Sequence, residues 1–153
     1  MANMERHLGI DIGGTNIACG IVNENGEIVA RSKVKTNSPR PYAEILADII
    51  RAAELACAEA GITPQQLASI GIGCPGTCNQ ATGVVEYSNN LGFVNAPLRT
   101  DIESKFGVPT YLGNDADAAA YGEYCAGAAK GAGSAVVITL GTCLLYTSPS
   151  PRD

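Results

Sequence analysis

The sequence predicts an α/β fold in which a mixed sheet opens with three antiparallel strands and then alternates helices with strands. Three observations carry this. Apolar runs at residues 7–12, 17–22 and 27–35 are joined by Gly13-Gly14 and Asn25-Gly26, and Asn-Gly between β-rich runs is a strong hairpin signal. Between residues 42 and 60, Ile45, Leu46, Ile49, Ile50, Ala53, Ala56 and Cys57 recur at helical spacing and form one apolar face. Beyond it, apolar segments at 69–74 and 110–113 are each followed by a further helical stretch.

Taken in order, Pro39 and Pro41 break the chain after the third strand and set the start of the 42–60 helix, which Gly61 closes. The strand at 69–74 runs into the Pro75-Gly76 turn and a short excursion through Val84-Val85-Glu86-Tyr87. Pro97-Leu98-Arg99 begins a short helix that ends near Phe106-Gly107. The strand at 110–113 delivers Asn114 and Asp115 to a helix over 116–126. Glycine and alanine around 126–133 read as a flexible loop, and 134–140 as a buried strand entering a second glycine turn at Gly141-Thr142.

With 153 residues and 46% hydrophobic content, the chain suffices for one domain with a proper core. The net charge of −5 and the lack of a Lys/Arg cluster argue against nucleic-acid binding. No apolar run approaches the ~20 residues of a membrane span, and the first residues lack a signal-like apolar core, so a soluble cytoplasmic protein is expected. The 6 cysteines are scattered and only one histidine, His7, is present. Free buried or semi-buried thiols are expected, with a metal at Cys74-x-x-x-Cys78 as the alternative. From Cys143 to Asp153 the chain has no helix or strand period, and it carries Pro149 and Pro151. That run also matches, residue for residue, the reading frame of a DNA segment that looks like a transposase sequencing adaptor. It is read as a non-native tail, and the natural protein is expected to be about twice as long.

The stretch Leu8-Gly9-Ile10-Asp11-Ile12-Gly13-Gly14-Thr15-Asn16 carries the most chemistry. An apolar strand delivers a carboxylate, two glycines and a hydroxyl. Without Cβ atoms, Gly13 and Gly14 let backbone N–H groups close on a phosphate. Thr15 adds a hydroxyl donor, and Asp11 can hold a hydrated Mg²⁺. A Rossmann fingerprint needs G-x-G-x-x-G before a helix, whereas these glycines lead into another strand. A P-loop is absent too, because Lys130 is wrongly placed among its glycines. A plain tight turn is the alternative reading. Asp115, at a strand end, is placed to accept a hydroxyl proton, with an N-cap as its alternative role. Asn90 and Asn114 offer amides able both to donate and to accept, and Asn89 alternatively shapes a turn. Gly76 would let backbone approach a ligand or simply form a type II turn. Glu123 reads as a structural acceptor.

Four segments in order now carry a resemblance: the 8–16 stretch; Ile70-Gly71-Ile72-Gly73-Cys74-Pro75-Gly76; Asn89-Asn90-Leu91-Gly92-Phe93 with Asn95-Ala96-Pro97-Leu98; and the block from Gly113 to Glu123. From about residue 7 to Thr142 the chain resembles the ROK family of sugar kinases, which share the actin-like ATPase fold. The resemblance implies a ribonuclease H-like N-terminal lobe over residues 1–142, incomplete as it stands, with 143–153 as the foreign tail. It implies ATP-dependent phosphorylation of a hexose, glucose first, with N-acetylmannosamine, fructose or allose as alternatives. ATP and Mg²⁺ would meet Asp11, Gly13, Gly14, Thr15, Gly141 and Thr142; the sugar would meet Gly76, Asn90 and Asn114, with Asp115 as base. A dimeric whole protein is also implied. The family's repressors carry a helix-turn-helix before the phosphate loop, and only six residues precede His7, so a repressor is the lesser expectation, as is a non-catalytic relative. Asp117 stands where the family block has asparagine, and is expected to face away from the site. The family's cysteine/histidine zinc cluster has no counterpart.

Overall fold

The computed structural model describes residues 5–138. The three leading strands are β1 (Arg6–Ile12), β2 (Asn16–Asn23) and β3 (Ile28–Lys35), followed by helix α1 (Tyr42–Glu59). Strand β4 (Ser69–Cys74) comes next, after a single 3-10 turn at Pro64–Gln66. Three short strands, β5 (Thr77–Asn79), β6 (Val84–Ser88) and β7 (Phe93–Ala96), precede α2 (Leu98–Phe106), β8 (Thr110–Asn114) and α3 (Asp115–Ala126).

The main sheet has the order β3-β2-β1-β4-β8. The β1–β2 and β2–β3 pairs are antiparallel, while β1–β4 and β4–β8 are parallel. This is the mixed sheet with antiparallel leading strands that the turn residues predict. At the β2–β3 turn, Asn23 Oδ1 accepts from the N–H groups of Asn25 and Glu27, and Gly26 takes φ +79°, a conformation that favours glycine.

Helix α1 packs on β2 and β3 through Ile45, Ile49, Ala52, Ala53, Ala56 and Cys57. Leu46 and Ile50, expected on that face, are only partly buried at its margin. Ser32 Oγ donates to Ala52 O at 2.6 Å, tying β3 to the helix. Fully burying each isoleucine contributes about 1.5–3 kcal/mol, which fixes this helix to the sheet. At the helix end, Gly61 at φ +67° lets the Ile62 N–H reach back to Cys57 O at 3.0 Å.

The excursion read around Val84–Tyr87 is in fact a second sheet, an antiparallel meander β5-β6-β7. Its strands are three to five residues long, too short for a period-2 pattern to stand out. The buried strand expected at 134–140 is a second correction. Residues 134–138 carry no strand and are exposed, Val136 at 90%. Helix α3 buries none of its residues, so it does not carry the chain back onto the sheet, where those Val and Ile side chains would be covered. Residues 139 and 140, with Gly141, Thr142 and the 143–153 segment, lie outside the described residues. Among the described residues, no helix is long and apolar enough to cross a membrane.

Candidate active site

Where β1, β4 and β8 run parallel, their C-terminal ends lie side by side. Gly73 of β4 pairs with Asp11 of β1 on one side and Gly113 of β8 on the other. The next residues on β8 are Asn114 and, opening α3, Asp115. Ligands in α/β sheets gather at this carboxyl edge. Gly73 also admits the helix start closely, since a Cβ there would stand 3.4 Å from Asp115 Cα.

Asp11 and Asp115 both line an open cleft of 1610 Å³ on the sheet face opposite α1. The Asp11 carboxyl is held above the ordinary carboxylate range, first by desolvation in the cleft wall and second by the charge of Asp115. Two carboxylates facing one space favour a cation between them. Asp117 lines the same cleft, contrary to the expectation that it faces away; the first turn of α3 stands at the cleft mouth, and residues on it two apart both reach that space.

The N-cap of α3 is Asn114. Its Oδ1 accepts from the N–H groups of Ala116 at 2.9 Å and Asp117 at 3.3 Å, while Nδ2 donates to Gly76 O at 3.1 Å. The amide expected to meet a sugar thus commits its oxygen and one N–H inside the protein, and holds the Gly76 turn against the helix start. With capping supplied by Asn114, the Asp115 carboxylate keeps one oxygen outside the single local bond that its Oδ1 accepts from Ala116 N–H.

Gly76 has φ +110°, and a Cβ there would meet Tyr87 O at 2.2 Å. Glycine is therefore demanded by the turn and by close packing on β6. Gly76, Ser88, Asn89 and Asn90 border a small cavity of 170 Å³ beside the turn. Ser88 Oγ is the one buried side-chain polar atom without a hydrogen bond among the described residues.

The β1–β2 turn carries Gly13, Gly14 and Thr15. The Gly13 N–H donates to Asn16 O at 2.8 Å, so the tight-turn reading holds for that residue and its N–H is unavailable to a phosphate. A Cβ on Gly14 would point at Asn90, 3.7 Å from its O and 3.8 Å from its Cβ. The turn and the Asn89-Asn90 loop thus lie side by side, which chain separation hides. Neither Gly13, Gly14 nor Thr15 borders the two cavities.

Other expected residues fall into plain roles. Glu123 Oε2 accepts from Ala128 N–H at 2.8 Å, a structural acceptor as read. His7 is half-buried with Nδ1 2.8 Å from Ser69 Oγ. The described cysteines are free thiols; Cys125 is exposed where a buried or half-buried thiol was expected, because it lies on the uncovered α3. Among the described residues no group of three or more His, Cys, Asp or Glu gathers to hold a metal. Three residues around the site were missed by sequence reasoning: Thr36, Ser38 and Arg40. The hydroxyls at 36 and 38 just before Pro39 were the available signal, since Ser and Thr in such places bond to backbone.

The model of the ROK family matches residues 7–144. The chain belongs to the ROK family. Among its relatives, the glucokinase of Streptomyces coelicolor is 36% identical over 138 residues, which cover 90% of this chain and 41% of that protein. The glucokinase of Halalkalibacterium halodurans is 34% identical over 89% of this chain and 41% of its own length. This ROK chain therefore spans about two-fifths of the curated glucokinases that it matches. Among solved structures, the ROK glucokinase of Streptomyces griseus in complex with glucose and AMPPNP superposes with a TM-score of 0.74 at 36% identity, covering 82% of this chain and 38% of that one. The ROK hexokinase of Thermus thermophilus gives 0.69 at 32% identity, over 78% and 38% respectively. The β3-β2-β1-β4-β8 sheet is thus part of the actin-like ATPase fold that ROK kinases share. ROK relatives include regulators as well: the xylose repressor of Caldicellulosiruptor bescii is 32% identical over 76% of this chain and 29% of its own.

Proposed function

We propose that the whole protein to which this lobe belongs phosphorylates a hexose with ATP, glucose being the first candidate substrate. The observation that carries the reading is the pair of carboxylates, Asp11 and Asp115, facing one cleft at the carboxyl edge of the parallel strands. Asp115 is the base: its carboxylate accepts the proton of the attacking sugar hydroxyl. Gly76 and Asn90, which border the small cavity beside the turn, would meet the sugar, and Asn114 holds Gly76 in place. Gly14 and Thr15 supply backbone N–H groups and a hydroxyl to the transferring phosphate, with Gly141 and Thr142 as further phosphate-binding candidates. The glucokinase relatives, and the Streptomyces griseus neighbour solved with glucose and an ATP analogue, support this assignment.

Magnesium fits the donor set. Mg²⁺ keeps several waters and takes one or two carboxylates plus substrate phosphates. Asp11, whose carboxyl is raised partly by the Asp115 charge, would hold it through water, and the ion would supply neutralisation of the charge on the phosphates.

A non-catalytic regulator has no need of a proton acceptor at position 115, which favours the kinase reading over the repressor one. Cytoplasmic location and a dimeric whole protein are part of the same proposal. The test is a coupled ADP-release assay of the full-length protein against glucose, N-acetylmannosamine, fructose and allose. Turnover on glucose above the others is expected; ATP-dependent turnover on none of them rejects the proposal.

A further inference from the structure

The segment after β3 grips the β1–β2 turn by its carbonyls. Thr36 is fully buried. Its Oγ1 donates to Gly13 O at 2.6 Å, its N–H donates to Thr15 O at 3.0 Å, and the Ser38 N–H reaches Gly14 O at 3.4 Å. Peptide planarity gives this a direction. In a trans peptide, the C=O of one residue and the N–H of the next point in opposite senses. Drawing the Gly13 and Gly14 carbonyls toward Thr36 and Ser38 therefore turns the N–H groups of Gly14 and Thr15 the other way. Successive N–H groups presented together make an anion-binding concavity.

Ser38 has a second partner, because its Oγ donates to Asn90 O. One residue thus bonds the turn that would cradle phosphate and the loop that would meet the sugar. The segment is itself anchored. Arg40 donates from Nε and Nη2 to Thr36 O at 3.0 and 2.6 Å, and its guanidinium pairs with Asp48 and, at 3.6 Å, with Glu44 of α1. Helix α1 is in turn fixed to the sheet by its buried isoleucines. A continuous path of bonds therefore runs from α1 through Arg40 and Thr36 to the phosphate turn, and through Ser38 to Asn90.

We infer that Thr36 and Ser38 are positioning residues of the transfer reaction. Thr36 sets the direction in which the turn presents its N–H groups, and Ser38 fixes the distance between the donor cradle and the sugar loop. This rests on the kinase reading above. The physical stake is geometric: a phosphoryl donor and its acceptor must be held in a near-attack arrangement, and a shift of about 1 Å can lower the rate by ~10²-fold.

The experiment uses the full-length protein, with a non-hydrolysable ATP analogue and glucose titrated by calorimetry alongside steady-state kinetics. Ser38→Ala is expected to lower kcat by about 10- to 100-fold while the glucose Kd moves less than about threefold. Ser38→Thr, which keeps the hydroxyl, should restore most of kcat. Thr36→Val keeps the shape and the N–H but removes the Oγ1 donor; it should raise the Kd of the ATP analogue by about tenfold and leave the glucose Kd in place. Wild-type kcat in Ser38→Ala, no rescue by Ser38→Thr, or equal weakening of both ligands in Thr36→Val overturns the assignment. If Ser38→Ala does not fold, the Thr36→Val comparison decides alone. Wild-type protein that neither binds nor turns over a hexose overturns the kinase reading and this one together, whereas an active wild type with indifferent variants overturns this one only.

Discussion

Asp115 opens α3 without being its cap, and that separation leaves one of its carboxylate oxygens outside the bonds of the helix start. Asn114 satisfies the Ala116 and Asp117 N–H groups, so Asp115→Asn should leave the helix intact. In the full-length protein it is expected to lower kcat by about 10²–10⁴-fold with little change in calorimetric sugar affinity; retention of more than about a tenth of kcat would show that Asp115 is not the base. Asp11 makes a different prediction. Its carboxyl is raised above 3.8 by desolvation and by Asp115, so the folded state binds this proton more readily than the unfolded state does. Stability from this group is therefore lost as pH rises from 3.8 through the raised folded value. Asp11→Asn removes the charge, and its melting temperature at pH about 7 should exceed the parent's, with the gap closing as pH falls. A gap that does not change with pH would refute this.

At the scale of the element, the β4–β5 turn joins the main sheet to the small meander. Gly76 carries φ +110°, lies against Tyr87 O of β6, and offers its own carbonyl to Asn114. Gly76→Ala meets both a strained backbone and a clash with backbone that cannot swing aside. It should destabilise by about 2 kcal/mol or more, seen as a lower thermal midpoint with the β5-β6-β7 strands opening first in hydrogen exchange. An unchanged midpoint would mean that the turn relaxes freely. Gly14→Val also acts across elements. A Cβ there already stands at ordinary contact distance from Asn90 and the valine methyls reach further, so the KM for sugar should rise together with that for ATP; a change confined to ATP would separate the two loops.

For the whole molecule, the sheet face opposite α1 is the governing feature. The 1610 Å³ cleft runs along it past Gly9, Gly20 and Gly71 to Tyr111, and Tyr111, Tyr121, Val136 and Ile138 are exposed by 65%, 69%, 90% and 72%. Exposed apolar side chains of this kind promote association, and a cleft open along the sheet does not exclude water from Asp11 and Asp115 as phosphoryl transfer requires. The 153-residue chain is therefore expected to scatter light at micromolar concentration and to form no sugar phosphate above an Asp115→Asn control. Detectable product from the monodisperse chain would contradict both parts.

What the amino-acid sequence by itself determined is whatever local chemistry dictates. Asn25-Gly26 sets a hairpin because only certain residues accept that turn, and the Ile45–Cys57 spacing sets a helix because its apolar side must meet the sheet. The Asp11-to-Thr15 and Gly113-to-Glu123 motifs could likewise be read as site elements, being continuous in the chain. Only the tertiary structure decided what depends on separate segments meeting. It brought Asp11 and Asp115 to one cleft across β4, gave the cap of α3 to Asn114, and used up the Gly13 N–H on Asn16. It also left 134–138 without the cover a strand needs, and set Thr36 and Ser38 against the β1–β2 turn. Those outcomes arise from hydrogen bonds and burial between residues far apart in the chain, which no local period or motif encodes.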